Sequence, residues 1–400
     1  MSAVNPSVGP GAQTCVHIAP PIPLKVVLLT RSLSAGGAER QLTLLAKGLA
    51  ARGHQVTVVR FYAGGALENE LANSAVAIRT LGKTGRWDTI RFLRRLVAIL
   101  RAERPDVLHS YLVVSNLLTA LLRPLLPATR LVWGVRASNV DLRYYDWLQR
   151  ATFSLSCRAS RFADKIIVNS TAGLLYHRDH GYPAEKMVVI PNGIDTNRFR
   201  PDSVVREKIR AEWGVEDDQV LIGLVARLDP MKDHGTFLEA ASLLAKYRPH
   251  VRFVCVGDGP LSYARAIQAR SERFGLSHLI IWAGARTDMP NMYNAFDIST
   301  SSSSFGEGFS NAIGEAMACG VPCVVTDVGD SAQIVGECGL IVPPRNAHAM
   351  TAAWESLLSS NVGARQAMGQ AARDRVLSLY SVERLIDRTE SVLLDCTEGV

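Results

Sequence analysis

Apolar residues recur along this chain in two alternating rhythms: short continuous runs rich in Val, Ile and Leu, and longer stretches with apolar positions three or four apart. Residues 24–30 (LKVVLLT) read as a strand, residues 38–52 repeat apolar positions at helical spacing, and residues 55–61 read as a strand again. Further strands are expected at 106–110, 130–135 and 165–169, and the run 186–190 leads into Pro191-Asn192-Gly193, a turn signal. The pattern then restarts, with strands at 220–225, 252–257, 279–282, 297–301 and 321–326 and helices between them. Helical stretches follow at 347–377 and 382–395. Strands that are apolar throughout must be covered on both faces, which points to parallel sheets flanked by helices. The expectation is an α/β chain of two doubly wound, Rossmann-like domains, over 23–188 and 189–379, after a mobile leader at 1–22 rich in Pro, Gly, Ala and Ser.

Composition narrows the function classes. Hydrophobic residues at 48% and charged residues at 20% exclude a disordered chain and suffice for two cores. A net charge of +7 suits an anionic partner, yet no zinc finger or Lys/Arg tract accompanies it, so nucleic acid is not expected. The seven cysteines are scattered without a CxxC, so reduced core thiols rather than a metal site are expected. No run of about 18 apolar residues occurs, and the leader lacks the order of a signal peptide, so a cytoplasmic protein is expected. Two segments leave a membrane surface open. Residues 87–101 are amphipathic with arginines at 91, 94, 95 and 101, and residues 117–126 (LLTALLRPLL) are apolar with one arginine. Either their apolar faces pack on a sheet, or the protein lies peripherally on anionic lipid on the cytoplasmic side.

The unusual residues cluster where open α/β sheets bind ligands, beyond the carboxyl ends of strands. Gly36-Gly37 after the first strand lets backbone approach a ligand before a helix N-terminus, as a plain tight turn would also explain. No GxGxxG follows, so a dinucleotide cofactor is not indicated. Arg227 and Lys232, five residues apart after a later strand, suit a diphosphate's two anionic groups or a solvated loop. Gly257-Asp258-Gly259-Pro260 ends the next strand in a sharp turn. Glu307, Gly308, Phe309, Ser310 and Asn311 then precede a helix start, where successive main-chain N–H groups can hold phosphate oxygens or sugar hydroxyls. Glu315 follows eight residues after Glu307, so a loop acid and a helix acid can line one elongated ligand. His109, at the end of the 106–110 strand, points to the cleft by position; a structural role is the alternative.

The stretch 304–329, SFGEGFSNAIGEAMACGVPCVVTDVG, closely resembles the signature of retaining glycosyltransferase family 4, which has the GT-B fold. Glu307 and Glu315 match its E-x7-E motif, Arg227 and Lys232 its basic pair, Gly36-Gly37-Ala38-Glu39-Arg40 its N-terminal loop, and Pro191-Asn192-Gly193 its domain junction. The resemblance implies a hexosyltransferase that takes a nucleotide sugar to a glycan or lipid-linked glycan, in polysaccharide or lipopolysaccharide assembly. It implies no cofactor and no metal, and the chain contains no Asp-x-Asp. Arg227 and Lys232 would grip the donor diphosphate, Glu307 the transferred sugar with backbone help from Gly308 to Asn311, and Glu315 the ribose. Gly36, Gly37, Gly257 and Asp258 would complete the donor site. The last helix, about 380–400, would pack back on the first domain. One position departs from the pattern: many members carry a histidine where this chain has Arg136, which cannot act as a base but can orient a hydroxyl or phosphate. A GT-B nucleotide-sugar 2-epimerase, or a non-catalytic sugar-nucleotide-binding scaffold, would share this architecture.

Overall fold

The computed structural model describes residues 23–34, 36–85, 88–136 and 147–398. The expected leader at 1–22, Trp87, and the residues following Arg136 therefore lie outside the described residues. The first domain runs β1 (Lys25–Thr30), α1 (Gly37–Ala51), β2 (Gln55–Arg60), α2 (Glu68–Ala72), β3 (Ala77–Thr80), α3 (Thr89–Glu103), β4 (Val107–Tyr111), α4 (Leu112–Leu122), β5 (Arg130–Val135), α5 (Trp147–Ala159), β6 (Lys165–Val168), α6 (Thr171–Asp179) and β7 (Met187–Val189). Its strands form one parallel sheet in the order β3-β2-β1-β4-β5-β6-β7. β3 carries the sequence AIRT at a half-exposed edge, so it has too little apolar pattern to be read from sequence.

The second domain opens with α7 (Ser203–Glu212) and β8 (Val220–Val225), then α8 (His234–Ala245), β9 (Val251–Val256), α9 (Leu261–Arg273), β10 (Ile280–Gly284), α10 (Met289–Ala295), β11 (Ile298–Ser301), α11 (Asn311–Ala318), β12 (Cys323–Thr326), α12 (Ser331–Val335) and β13 (Gly339–Val342). α13 (Ala347–Ser359), α14 (Val362–Leu379) and α15 (Val382–Thr397) finish the chain. The second sheet is also parallel, in the order β10-β9-β8-β11-β12-β13. The single helical stretch expected at 347–377 is two helices, because the Asn361 side chain takes the Ala364 N–H at 2.7 Å and restarts the chain as a cap.

Both sheets are buried on two faces, as their apolar strands require. Leu28 and Val58 face α1, while Val27 and Leu29 face Phe92, Leu96 and Leu100 of α3. The apolar face of α3 thus packs on the sheet, and Arg91, Arg94 and Arg101 stay exposed. β7 pairs with β6, so the crossing between domains falls after Val189, at 190–194, slightly beyond the expected 188/189 boundary. There Ile194 donates to the Tyr380 carbonyl at 2.7 Å and accepts from the Val382 N–H at 3.2 Å, so outgoing and returning chain cross side by side. α14 stays in the second core through Ala372 and Val376. α15 returns to the first domain, where Leu385, Ile386 and Leu393 pack with the α1 leucines. Each such side chain contributes about 1.5–3 kcal/mol. Arg52 pairs there with Asp387 and Glu390.

Candidate functional site

In each sheet the order reverses beside the first strand, between β1 and β4 and between β8 and β11. Connections leaving those neighbours diverge and open a crevice at the strands' carboxyl ends. Residues from both crevices line a single cleft of about 510 Å³ between the domains. The first domain contributes Gly37 and Arg40 at the start of α1 and Arg136 just past β5. The second contributes Arg227 and Lys232 after β8 and Gly257 and Asp258 after β9. Glu307, Phe309, Ser310, Asn311 and Glu315 complete the wall around the start of α11.

The loops that carry these residues are tied to one another. The Leu228 N–H donates to the Asp258 carbonyl at 2.8 Å, continuing the β8–β9 ladder past the strands. Gly257 sits at φ +139°, and a Cβ there would lie 2.1 Å from the Ala226 carbonyl oxygen, so only glycine permits this approach. The Ser304 N–H reaches the Met231 carbonyl at 2.9 Å and the Ser302 hydroxyl the Lys232 carbonyl at 2.7 Å. These bonds bring residues 75 apart in sequence into contact: the Lys232 ammonium pairs directly with the Glu307 carboxylate.

Ser303 donates to the same Glu307 oxygen at 2.6 Å. Burial alone would raise the Glu307 pKa, but the Lys232 charge and hydrogen bond outweigh it and hold the carboxyl below its ordinary value. Arg227 is exposed to the cleft, its guanidinium 2.9 Å from Asp229, which also caps the Met231 N–H. Glu315, in the second turn of α11, takes the Tyr293 hydroxyl at 3.0 Å. Burial pushes Glu315 up to about 6, with Tyr293, Arg40 and Arg198 opposing the rise. The cleft therefore holds one carboxylate fixed as an anion and one that titrates just below neutrality.

Arg136 lies over the Tyr111 ring at 4.8 Å, donates to the Tyr111 hydroxyl at 3.0 Å and to Asn192 Oδ1 at 3.1 Å. Asn192 in turn donates to Asn311 Oδ1 at 2.8 Å. The arginine is thus held facing the cleft by both the first domain and the junction. Gly36 is the N-cap of α1 and is not on the cleft wall. Gly308 is not on the wall either; a Cβ on it would lie 3.0 Å from Asn169 Oδ1 and 3.2 Å from Ser170 Oγ of the first domain.

His109 does not face the cleft. β4 continues two residues beyond it to Tyr111, whose hydroxyl accepts from the cleft residue Arg136, and His109 is fully buried. Its Nδ1 is 3.1 Å from the Val132 carbonyl oxygen, and burial pushes its imidazole down to about 3. Several wall residues, among them Arg40, Asn192, Arg286 and Tyr293, have no role in the sequence reading. Arg40 stands next to the glycine loop without a chemistry of its own, Asn192 reads as a turn residue, and Tyr293 reads as core. Arg40 and Asn192 each lie inside a matched motif, Gly36-Gly37-Ala38-Glu39-Arg40 and Pro191-Asn192-Gly193, and Tyr293 carries no signal.

Among the described residues, no group of three or more His, Cys, Asp and Glu side chains is placed to hold a metal ion, and no helix is long and apolar enough to cross a membrane.

Residues 35–198 match the family described as Glycosyltransferase Family 4, and residues 219–360 the one described as Glycosyl transferases group 1. A UDP-Gal:alpha-D-GlcNAc-diphosphoundecaprenol alpha-1,3-galactosyltransferase of Escherichia coli is 24% identical over 321 residues, 76% of this chain and 79% of that one. The lipopolysaccharide core biosynthesis mannosyltransferase LpsB of Rhizobium meliloti is 30% identical over 207 residues, 50% of this chain and 58% of that one. The chain spans about half the length of several curated relatives it matches, between 44% and 58%. Anabaena Alr3699/HepE, solved with UDP and glucose, superposes with a TM-score of 0.81 at 22% identity, over 92% of this chain and 99% of that one. The two parallel-sheet domains have the GT-B architecture of that structure.

Proposed function

The chain belongs to glycosyltransferase family 4, with a group 1 glycosyl transferase region as its second half, and on that premise we propose that it moves a hexosyl unit from a nucleotide sugar to a glycan or lipid-linked glycan with retention at the anomeric carbon. The observation that carries this reading is the buried Lys232–Glu307 pair on the cleft wall, beside exposed Arg227. A cation pair suits a diphosphate, and a carboxylate fixed as an anion accepts hydrogen bonds from sugar hydroxyls. The bond from the anomeric carbon to the diphosphate oxygen breaks, the acceptor oxygen bonds to the same face, and the acceptor's proton passes to the departing diphosphate. Lys232 and Arg227 stabilise the charge that develops on that oxygen, which is the role a metal plays in other sites and needs none here. Glu315 holds ribose hydroxyls, and Arg136 orients the incoming groups from the first domain. The complexes of HepE with UDP-glucose and with UDP and glucose support the donor class.

The acceptor, on this reading, is carried by a lipid and presented at the cytoplasmic face of an anionic membrane, for polysaccharide or lipopolysaccharide assembly. Support comes from an apolar groove of about 670 Å³ between α4 and α5, lined by Val114, Leu117, Leu121, Leu155 and Phe162. Leu121 is 64% exposed and Leu155 55%, unusual for leucines not bound for another surface. Neither helix contains an acidic residue, and Arg150, Arg158 and Arg161 stand exposed beside them. The E. coli relative's name places its acceptor on diphosphoundecaprenol.

A thermal-shift panel of UDP-, GDP-, ADP- and TDP-sugars, with and without EDTA, tests the donor site. A rise in Tm with one nucleotide class, unchanged by EDTA, is expected, followed by transfer to a polyprenyl-diphosphate-linked sugar. No shift with any of the four refutes the reading.

A further inference from the structure

Asp330 follows β12 in the second domain, yet its carboxylate is spent on the first. Its two oxygens accept the backbone N–H of Thr171 at 2.7 Å and of Ala172 at 2.9 Å, the first two residues of α6. The third amide of that helix, Gly173, is taken by its own cap Ser170 at 3.0 Å. A helix start leaves amides without intrahelical partners, and its dipole favours a negative charge there. α6 thus begins with one local cap and one supplied across the domain interface. Thr171 Oγ1 adds a bond to Gln333 at 3.2 Å.

The same segment supports the Glu307 loop from below. The Asp330 N–H donates to the Gly308 carbonyl at 3.2 Å. Gly329 has φ +61°, and a Cβ there would lie 2.2 Å from the Glu307 carbonyl oxygen, so residues 329–330 touch the loop backbone directly. From the other side Gly308 meets Asn169 and Ser170, the residues that lead into α6. The start of α6, Asp330 and the 307–308 loop therefore form one contact, with Asp330 only 7% exposed. Opening the cleft would hand the amides of Thr171 and Ala172 back to water and remove the wall against which the Glu307 loop rests.

We propose that Asp330 is a positioning residue, a latch through which closure of the two domains on the α6 N-terminus sets the Glu307–Gly308 loop in its working place. The inference rests on the transfer reaction proposed above, but its structural half does not. A latch of this kind holds the ligand-free protein closed as well. Asp330 touches neither donor nor acceptor in this account; it acts through the backbone it holds.

Two variants break the latch from opposite sides. Asp330→Asn removes the charge. Thr171→Pro removes one donor from the other domain, at the first helical position where proline is well accommodated. Ser170 before it is already extended, at φ −156° and ψ 151°, as the residue before proline prefers. Thr171→Ser keeps both the amide and a hydroxyl and is the control. Both latch variants should lower kcat about tenfold, in line with a helix-end charge contact of this strength. Both should also give a larger radius of gyration than wild type in ligand-free X-ray scattering, while Thr171→Ser matches wild type in both. Wild-type kcat in folded Asp330→Asn and Thr171→Pro overturns the proposal. So does a lowered kcat with an unchanged radius of gyration, which would mean a static loop support rather than a latch. If no transfer is found in any protein, the function proposed above fails, and the scattering comparison still decides the latch by itself.

Discussion

Replacing Lys232 by methionine removes the ammonium and keeps a stem of nearly the same length, leaving the Glu307 carboxylate in place without its cation. The Glu307 side chain is 8% exposed and that of Lys232 21%, so most of the pair is out of water. Removing one partner of a buried pair costs roughly 3–5 kcal/mol; partial exposure of Lys232 and the remaining Ser303 bond bring this to ~2–3 kcal/mol. For a domain of this size that is a drop of roughly 5–10 °C in Tm at pH 7.5. The variant therefore folds, but is weakened. The pH dependence carries the stronger test. In wild type the Glu307 pKa is lowered, so its contribution is present above the ordinary carboxylate value and is lost only as pH falls below that. In Lys232→Met burial acts without its counterweight, the folded carboxyl titrates above the unfolded one, and the variant gains stability as pH falls. The gap between the two proteins should narrow by up to about 1.4 kcal/mol per pH unit from the variant's raised pKa down toward pH 5. Glu315 titrates in both proteins and cancels in the difference. Thermal unfolding of both at pH 7.5, 6.5, 5.5 and 5.0 reads the gap directly. A constant gap across that range would refute the claim that the cost lies in an unpaired buried charge.

Glu307→Gln should fold and still bind nucleoside diphosphate through Arg227 and Lys232, while transfer falls by roughly 10²–10³, as for loss of one polar group at a reacting centre; steady-state kinetics with calorimetric binding checks both halves. Glu315, raised to about 6, contributes stability that is fully present below the ordinary carboxylate value and is lost as pH rises through about 6. Denaturant midpoints should therefore fall between pH 4.5 and 7 in wild type, and Glu315→Gln should flatten that slope. The double variant Leu121→Glu/Leu155→Glu should no longer co-sediment with anionic vesicles at low salt, at unchanged Tm because both side chains are exposed; wild type that fails to sediment removes the lipid reading.

The apolar rhythm was enough to read the two doubly wound domains and most of their strands, because a strand buried on two faces must be apolar at every position. It missed β3 and β13, which lie at sheet edges and are only partly covered, so burial leaves little mark on their composition. Arg227 and Lys232 were legible as two cations following a strand, Glu307 as an acid flanked by glycines, and Glu315 as a second acid eight residues on. That Lys232 and Glu307 touch was not legible, since no local rule relates residues 75 apart. The burial of His109 turned on β4 extending two residues beyond it, a matter of sheet register with β5. Asp330 carries no local signal either, because its place on the start of α6 is set by how the second domain meets the first. Periodicity records which face of an element is buried, and so it gives the domains; which loops meet across the cleft depends on how two separate cores are set against each other, and only the folded chain decides that.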